Sequence, residues 1–236
     1  MLNFSTILVI IHTTFCLLLA IVGLVVDPTG RIYVWIARRL WGPPLLKLAG
    51  IRLTVSGGHD VDWRKPYVVA SNHASQLDIP VLFASLPMPV RFMAKKSLFY
   101  FPVFGWSLWL AHFIPVDRSG ARKARESLNR AALKVRNGRS LIVFPEGTRC
   151  ADGTIQPFKS GAFVLAIKAQ VPVLPVAIRG SFDVFPKDTL KIRKGHIEVF
   201  IGTPIPTKTL ELADKETLRA KTQQSVNHMF KTGIPG

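Results

Sequence analysis

The chain has 236 residues, a length that suits one compact domain of roughly 150 to 200 residues with an appendage and argues against several domains. Hydrophobic residues make up 48% of the sequence and charged residues 19%, and this apolar excess indicates contact with a membrane. The formal net charge of +17 suits a polyanionic partner, either nucleic acid or an anionic lipid surface, and the presence of only two cysteines excludes a disulfide framework.

Residues 2–26 form a run of 25 residues without a charged side chain. As a helix this run would be about 37 Å long, enough to cross a hydrocarbon core of about 30 Å or to dip into one leaflet. A cleaved secretory signal is the competing interpretation. Against cleavage, no basic stretch precedes the apolar residues, and Val25-Val26-Asp27-Pro28 lacks the small residues of a cleavage site. We therefore expect a retained membrane segment.

Residues 27–30 have the composition of a turn, and residues 31–47 then mix tryptophan and aliphatic side chains with four basic residues. This mixture predicts an interfacial helix, whose apolar side chains enter the headgroup boundary while its arginines meet lipid phosphates. The same arginines favour a cytoplasmic main domain by the positive-inside rule. The alternative is a helix that packs on the domain with its basic face in solvent.

Short β-branched runs alternate with helical patterns over the rest of the chain. The predicted strands are residues 51–55, 67–70, 90–93, 140–144, 173–178 and 197–201. The predicted helices are residues 122–137, which Gly138 ends, 159–169 and 207–230. This alternation predicts an α/β fold with a largely parallel central sheet flanked by helices. We expect N-terminal membrane-anchoring helices in residues 1–49 and an α/β domain in residues 50–236.

A polar turn follows the predicted strand at 67–70 and contains His73 and Asp78. Five positions on a regular helix are about 140° apart, so these side chains can meet only if the residues between them form a turn at the strand end. Pro80 favours a helix start close to Asp78. If Asp78 accepts from one ring nitrogen, the other nitrogen of His73 can take a proton from a substrate hydroxyl. The alternative is a structural histidine, because this spacing alone is weakly specific.

A second polar turn follows the predicted strand at 140–144 and contains Glu146, Gly147, Thr148 and Arg149. Open α/β sheets bind their ligands at this edge. Gly147 permits close backbone approach, and Arg149 offers a planar fork to a phosphate. Glu146 can accept from a hydroxyl or hold a neighbouring arginine. The alternative is an ordinary turn with a solvent-exposed ion pair.

A third apolar stretch, residues 113–118, ends at Arg118. Residues 91–139 hold eleven lysines and arginines against two acids, Asp117 and Glu126. This local excess of positive charge attracts an anionic substrate or an anionic lipid, although a solvated basic helix face accounts for part of it.

Four motifs occur in a fixed order: Asn72-His73 with Asp78, residues 113–118, residues 144–149 and residues 171–176. Together they resemble the ordered motifs of the glycerolipid acyltransferase family, and the chain is similar in particular to bacterial 1-acylglycerol-3-phosphate acyltransferases. The resemblance covers roughly residues 50–205. Four motifs in order are far more specific than any one of them.

The resemblance implies an α/β domain on a membrane-bound pair of N-terminal helices. It implies that His73, assisted by Asp78, deprotonates the sn-2 hydroxyl of lysophosphatidic acid, which attacks a fatty acyl thioester and gives phosphatidic acid in phospholipid biosynthesis. The donor would be acyl-CoA or acyl carrier protein, and no cofactor is implied. The residues implied in phosphate and glycerol binding are Arg118, Glu146, Gly147, Thr148, Arg149 and Lys159.

The resemblance also implies a bacterial inner membrane protein whose catalytic domain lies on the cytoplasmic side. One departure from the family pattern is Cys150, where many relatives have serine. The six histidines are scattered without ligand spacing, so we expect no metal site.

Three other functions stay open. A related acyltransferase would use another lysolipid or glycerol 3-phosphate as its acceptor. A hydrolase would use Ser71 or Ser75 beside His73, although the chain has no G-x-S-x-G nucleophile elbow. A non-catalytic protein that binds a lipid surface or nucleic acid would account for the basic charge. No nucleic-acid recognition motif is present, and the apolar run counts against nucleic-acid binding. We therefore expect lipid and not nucleic acid as the partner.

Overall fold

The computed structural model describes residues 3–27, 29–102, 104–117 and 119–235. The α-helices are α1 (Phe4–Val26), α2 (Arg31–Ile36), α3 (Gly42–Leu48), α4 (Asp78–Ser85), α5 (Phe104–Leu110), α6 (Ala121–Arg136), α7 (Gly161–Ala169), α8 (Ser181–Val184) and α9 (Lys215–Thr232). The strands are β1 (Ile51–Gly57), β2 (Val68–Ser71), β3 (Val90–Lys95), β4 (Ile114–Val116), β5 (Ser140–Val143), β6 (Val173–Arg179) and β7 (Gly195–Ile201). A π-helical turn spans Ala37–Trp41, and 3₁₀ turns span Lys96–Tyr100 and Leu212–Asp214.

The described strands form one sheet in the order β1-β7-β6-β2-β5-β3-β4. Neighbouring strands are parallel except for the antiparallel pair β6–β7. The predicted α/β fold with a largely parallel central sheet is confirmed. Because β2 pairs with both β5 and β6, the carboxyl ends of these three strands lie side by side at one edge of the sheet.

Successive residues of the central strands face two separate apolar cores. In β2, Val69 belongs to one core, whereas Val68 and Ala70 belong to the other. Helices α3, α4 and α5 cover the first face, and α6, α7 and α9 cover the second. Both faces of the sheet are therefore buried, which explains why its central strands consist mainly of apolar residues.

The N-terminal helices pack on the first face. Ala37, Leu45 and Leu46 are buried in the same core as the sheet, so this segment is joined to the α/β domain by apolar contacts. Helix α1 lies close against α2, since a Cβ atom added to Gly23 would be 2.6 Å from Cγ2 of Ile32. Among the described helices, α1 is long and apolar enough to cross a membrane over Phe4–Gly23.

The segment predicted as one interfacial helix at residues 31–47 contains a π-helical turn. Pro44 has no N–H to donate to the carbonyl of Leu40 four residues earlier. That carbonyl oxygen instead lies 3.0 Å from Nε2 of His12 on α1. The two prolines after Gly42 therefore account for the irregular turn, and α1 supplies a partner for the freed carbonyl group.

The structure contains a strand that was not predicted, and its last helix starts later than predicted. Strand β4 was not predicted, because a three-residue strand at the sheet edge is too short to show a periodic pattern. The last helix starts at Lys215 and not at Thr207. Glu211 and Asp214 form a reciprocal capping box that sets the start of the helical segment.

Candidate active site

The turn after β2 is fixed by Asn72. Its side chain donates to the carbonyl of Ile178 and accepts from the N–H of the same residue, both at 2.8 Å. The amide thus continues the pairing of β2 with β6 beyond the last strand residue. As a result, His73 is held at this edge of the sheet.

His73 and Asp78 meet as their sequence context predicted. Nδ1 of His73 lies 2.8 Å from Oδ2 of Asp78, and the same oxygen accepts from the backbone N–H groups of Ala74 and Ser75 at 2.8 Å each. Helix α4 begins at Asp78, so the five residues from 73 to 77 form the required turn. The two backbone bonds hold the carboxylate in place, and the carboxylate orients the imidazole.

This geometry fixes the chemical state in which the imidazole can act. An ionised carboxylate only accepts hydrogen bonds, so Nδ1 carries the proton and Nε2 has the free lone pair of a base. Asp78 is fully buried, whereas the His73 side chain is 16% exposed and can be reached from outside. Oδ1 of Asp78 is buried and has no hydrogen-bond partner among the described residues.

The ring of Phe144 covers one face of the imidazole. Their centroids are 3.9 Å apart and their planes differ by 11°. Phe144 comes directly after β5, the neighbour of β2, which explains how it reaches His73. No role of its own was predicted for Phe144 from the sequence. Its position at the end of a predicted strand, directly before Pro145, is the feature that could have suggested one.

Glu146 joins the two turns of the site. One carboxylate oxygen accepts from the N–H of His73 at 2.6 Å, and the other accepts from the N–H of Gln156 at 2.9 Å. Burial raises the pKa of Glu146, while the two backbone hydrogen bonds act in the opposite direction. The hydrogen bonds of Glu146 in the described part of the chain come from backbone groups, and not from the hydroxyl or the neighbouring arginine that the sequence suggested.

Gly147, Thr148, Arg149 and Lys159 surround the same edge of the sheet. Gly147 has φ of 80°, and a Cβ atom there would be 3.0 Å from Nζ of Lys159. Arg149 is partly exposed, Thr148 and Lys159 are exposed, and the next residue, Cys150, donates its N–H to the carbonyl of His73 at 2.9 Å. The structure thus brings these residues to the turn that carries His73.

Arg118 lies outside the described residues, so the structure gives no position for it. The described residues contain no group of three or more His, Cys, Asp or Glu side chains that could hold a metal ion. Independence from metal stays a prediction.

The two serines near His73 have structural partners. Both side chains are buried, Oγ of Ser71 donates to the carbonyl of Asn72 at 3.2 Å, and Oγ of Ser75 donates to the carbonyl of Phe185 at 2.8 Å. Neither hydroxyl forms a hydrogen bond with His73 in the described part of the chain. The arrangement of nucleophile and base that a serine hydrolase requires is therefore not formed here.

Comparisons with known proteins identify the family of the chain. A model of the Acyltransferase family matches residues 52–179. The chain is 35% identical over 185 residues to a 1-acyl-sn-glycerol-3-phosphate acyltransferase alpha of Ovis aries, a match covering 78% of this chain and 64% of that relative. It is 35% identical over 179 residues to a 1-acyl-sn-glycerol-3-phosphate acyltransferase of Saccharomyces cerevisiae, covering 75% of this chain and 59% of that relative.

The fold is also similar to a solved structure. The crystal structure of the 1-acyl-sn-glycerophosphate (LPA) acyltransferase from Thermotoga maritima superposes with a TM-score of 0.81 and 24% sequence identity, covering 95% of this chain and 92% of that one. At this identity the likeness concerns the fold alone. The family model, by contrast, spans more than half of the sequence and includes His73, Asp78 and residues 144–149, and the chain accordingly belongs to the Acyltransferase family.

Proposed function

We propose that this protein is a membrane-attached 1-acyl-sn-glycerol-3-phosphate acyltransferase. It would transfer a fatty acyl group from a thioester to the sn-2 hydroxyl of lysophosphatidic acid and so form phosphatidic acid. The hydrogen bond between Nδ1 of His73 and the buried carboxylate of Asp78 is the observation that carries the proposal, because it prepares Nε2 as a base at an accessible edge. The names of the relatives from Ovis aries and Saccharomyces cerevisiae support the choice of acceptor.

The proposed reaction is a direct transfer. Nε2 of His73 takes the proton of the sn-2 hydroxyl while the hydroxyl oxygen attacks the thioester carbonyl carbon. The tetrahedral intermediate collapses with cleavage of the carbon–sulfur bond, and the leaving thiolate takes the proton from the imidazolium. No acyl-enzyme forms, and the residues of this chain supply the base without a cofactor. Positioned base catalysis of this kind contributes about 10²- to 10⁴-fold.

The acceptor phosphate would bind to the basic side chains beside this turn. Arg149 follows Gly147 at the edge of the sheet, and the ammonium group of Lys159 lies over Gly147. Arg118 is proposed as a third phosphate ligand from its place in the sequence alone. Gly147 and Thr148 would contact the glycerol, and Glu146 would hold the turn through the backbone of His73. The donor would be acyl-CoA or acyl carrier protein, both anionic partners that suit a chain of net charge +17.

Membrane attachment is supported by the outer face of α1. Phe4, Ile7, Ile11, Phe15, Leu18 and Val22 are exposed and follow one another at intervals of three or four residues, so they share one face of the helix. Polar contacts hold α1 to the rest of the protein, including the bond from Nε1 of Trp41 to Oγ1 of Thr13. An exposed apolar face of this length requires a covering, and a lipid leaflet provides one. We place the protein at the inner membrane of a bacterium, with the α/β domain on the cytoplasmic side.

A panel of lysolipid acceptors with labelled acyl-CoA or acyl carrier protein tests this function. We expect phosphatidic acid as the main product, identified by its mass, with lysophosphatidate preferred over other lysolipids and glycerol 3-phosphate. His73→Ala should abolish the product while the protein stays folded and bound to membranes. His59→Ala, which changes an exposed histidine away from the site, is the matched control. Full turnover by the His73 variant would remove the mechanism.

A further inference from the structure

A second apolar surface lies outside both the site and α1. The side chains of Leu98, Tyr100, Phe101, Phe104, Trp106 and Trp109 are 36% to 69% exposed. We call these six residues the aromatic patch. They belong to the 3₁₀ turn Lys96–Tyr100, to α5 and to the connection between them. So many large apolar side chains exposed within twelve residues are unusual for a surface that faces only water.

The aromatic patch is held by buried neighbours and has a defined shape. Phe99 points inward and meets the ring of Trp109 edge-on, with centroids 5.0 Å apart. Gly105 allows the helix to approach the turn, since a Cβ atom there would be 2.3 Å from the carbonyl oxygen of Phe99. Leu108 is buried in the core of the first face. Buried side chains such as Phe99 and Leu108 therefore already fill the inward positions of this segment. The side chains of the aromatic patch stay exposed on a packed structure.

The aromatic patch is next to α1. Helices α1 and α5 are in contact, and both lie on the first face of the sheet. The aromatic patch therefore includes exposed side chains of a helix that contacts α1 directly. This contact is the reason to consider one bilayer for both surfaces.

Charge near the aromatic patch suits anionic lipid. The sequence contains no acidic residue between Asp78 and Asp117. Lys95 and Lys96 precede the patch, and both are exposed, with Nζ of Lys96 3.1 Å from Oδ2 of Asp117. Lys95 is therefore the lysine to which we assign the attraction to anionic lipid. Tryptophan and tyrosine side chains favour the headgroup level of a bilayer, and lysines near an anionic leaflet are attracted to it.

We propose that the aromatic patch is a second bilayer-contacting surface, which enters the interfacial region of the same anionic leaflet as α1. The inference rests on the membrane attachment contained in the proposed function. It has a consequence for the active site, because the patch follows β3, and β3 is the neighbour of the strand that leads to Phe144. Contact at this point brings the edge of the sheet that carries His73 close to the leaflet in which the lipid acceptor resides.

Depth measurements in the full-length protein test the proposal. Trp106→Cys, carrying an environment-sensitive fluorophore, reports on the patch in a background where the buried Cys16 and Cys150 are replaced by alanine. Val22→Cys on the exposed face of α1 is the positive control, and Leu133→Cys, exposed on α6 in the opposite helical layer, is the negative control. The vesicles contain phosphatidylcholine and phosphatidylglycerol with brominated acyl chains as the quencher.

We expect a blue shift and quenching by brominated lipid at positions 106 and 22, and neither effect at position 133. Quenching at position 22 with a water-like signal at position 106 would show that the aromatic patch does not contact the bilayer. The proposed function would stay intact. A water-like signal at both positions would overturn membrane attachment as well. A blue shift at position 106 that appears without vesicles and grows with protein concentration would show that a second copy of the chain covers the patch, which also contradicts the proposal.

Discussion

The imidazole of His73 lies flat against the ring of Phe144, with the two centroids 3.9 Å apart. Asp78 restrains the imidazole at its edge through Nδ1, and Phe144 restrains it at its face. Two restraints at right angles leave the ring little freedom to tilt or rotate. The direction of Nε2, which has to meet the substrate hydroxyl, is therefore set by two separate parts of the chain, the start of α4 and the residue that follows β5.

Phe144→Leu should lower kcat by roughly 2- to 10-fold, because an aromatic contact of about 0.5 to 1.5 kcal/mol that orients the base is lost. The acceptor KM should change little, and Phe144→Tyr, which keeps the ring, should restore turnover. Steady-state kinetics measure both parameters. Phe158→Leu, a buried phenylalanine of the opposite core, controls for a general loss of packing. Equal losses in these two leucine variants would contradict a positioning role.

Asp78→Asn should lower kcat by roughly 10²- to 10⁴-fold without unfolding the protein. An asparagine oxygen in the place of Oδ2 can still accept from Ala74, Ser75 and Nδ1, since all three hydrogen bonds go to that oxygen. The neutral amide would no longer stabilise the imidazolium that forms when Nε2 takes the proton. Asp152→Asn, an exposed carboxylate in a neighbouring loop, is the control. Near-normal turnover in Asp78→Asn would show that the charge of the carboxylate does not assist the base.

Ser71→Ala and Ser75→Ala should both retain acyl transfer, because each hydroxyl donates to a backbone carbonyl and not to His73. Ser75→Ala should lower the free energy of unfolding by about 1 kcal/mol, since the partly buried carbonyl of Phe185 loses its partner. Denaturant titration and product formation measure the two effects. Mass spectrometry of a covalent acyl-serine during turnover would instead revive a hydrolase-like mechanism.

Arg149→Ala should raise the acceptor KM by roughly 10- to 100-fold, the value of a charge-assisted hydrogen bond to phosphate. The KM for the acyl donor should change less. Arg149→Lys should rescue binding only in part, because lysine keeps the charge but lacks the planar fork. Arg125→Ala, exposed on α6, shows how much a general loss of positive charge contributes. An unchanged acceptor KM would exclude Arg149 from phosphate binding.

Glu146 should make the stability of the protein depend on pH in a defined direction. Burial raises its pKa above the ordinary value of 4.5, so the folded state holds the proton more tightly than the unfolded state. The stabilisation that Glu146 gives to the folded state is therefore fully present below pH 4.5. It is lost as the pH rises through the higher pKa that Glu146 has in the folded protein. The free energy of unfolding of the wild type, minus that of Glu146→Gln, should fall over this range.

Glu126→Gln controls for the loss of one exposed carboxylate, and its difference from the wild type should show no such fall. Denaturant titrations at several pH values supply both differences. A rise with pH in the Glu146 comparison would mean that the hydrogen bonds to His73 and Gln156 outweigh burial.

The sequence by itself determined the fold class and the central pair of the site. Strand residues that are apolar on both faces, alternating with amphipathic helices, predict a buried parallel sheet, and each of the six predicted strands is present. His73 and Asp78 could be paired because they are five residues apart, and the start of α4 near Pro80 is a local effect. Such features depend on neighbours in the chain, so the sequence shows them directly.

Only the tertiary structure decided what surrounds that pair. Phe144 and Glu146 lie more than seventy residues from His73 and reach it because β5 is the neighbour of β2, an order that no local pattern specifies. The same holds for the burial of Ser71 and Ser75 and for the outward direction of the aromatic patch. These properties depend on which surfaces meet when the layers pack. The energy of burial depends on the area covered, and that area is fixed only after the strands are ordered and the helices are placed on them.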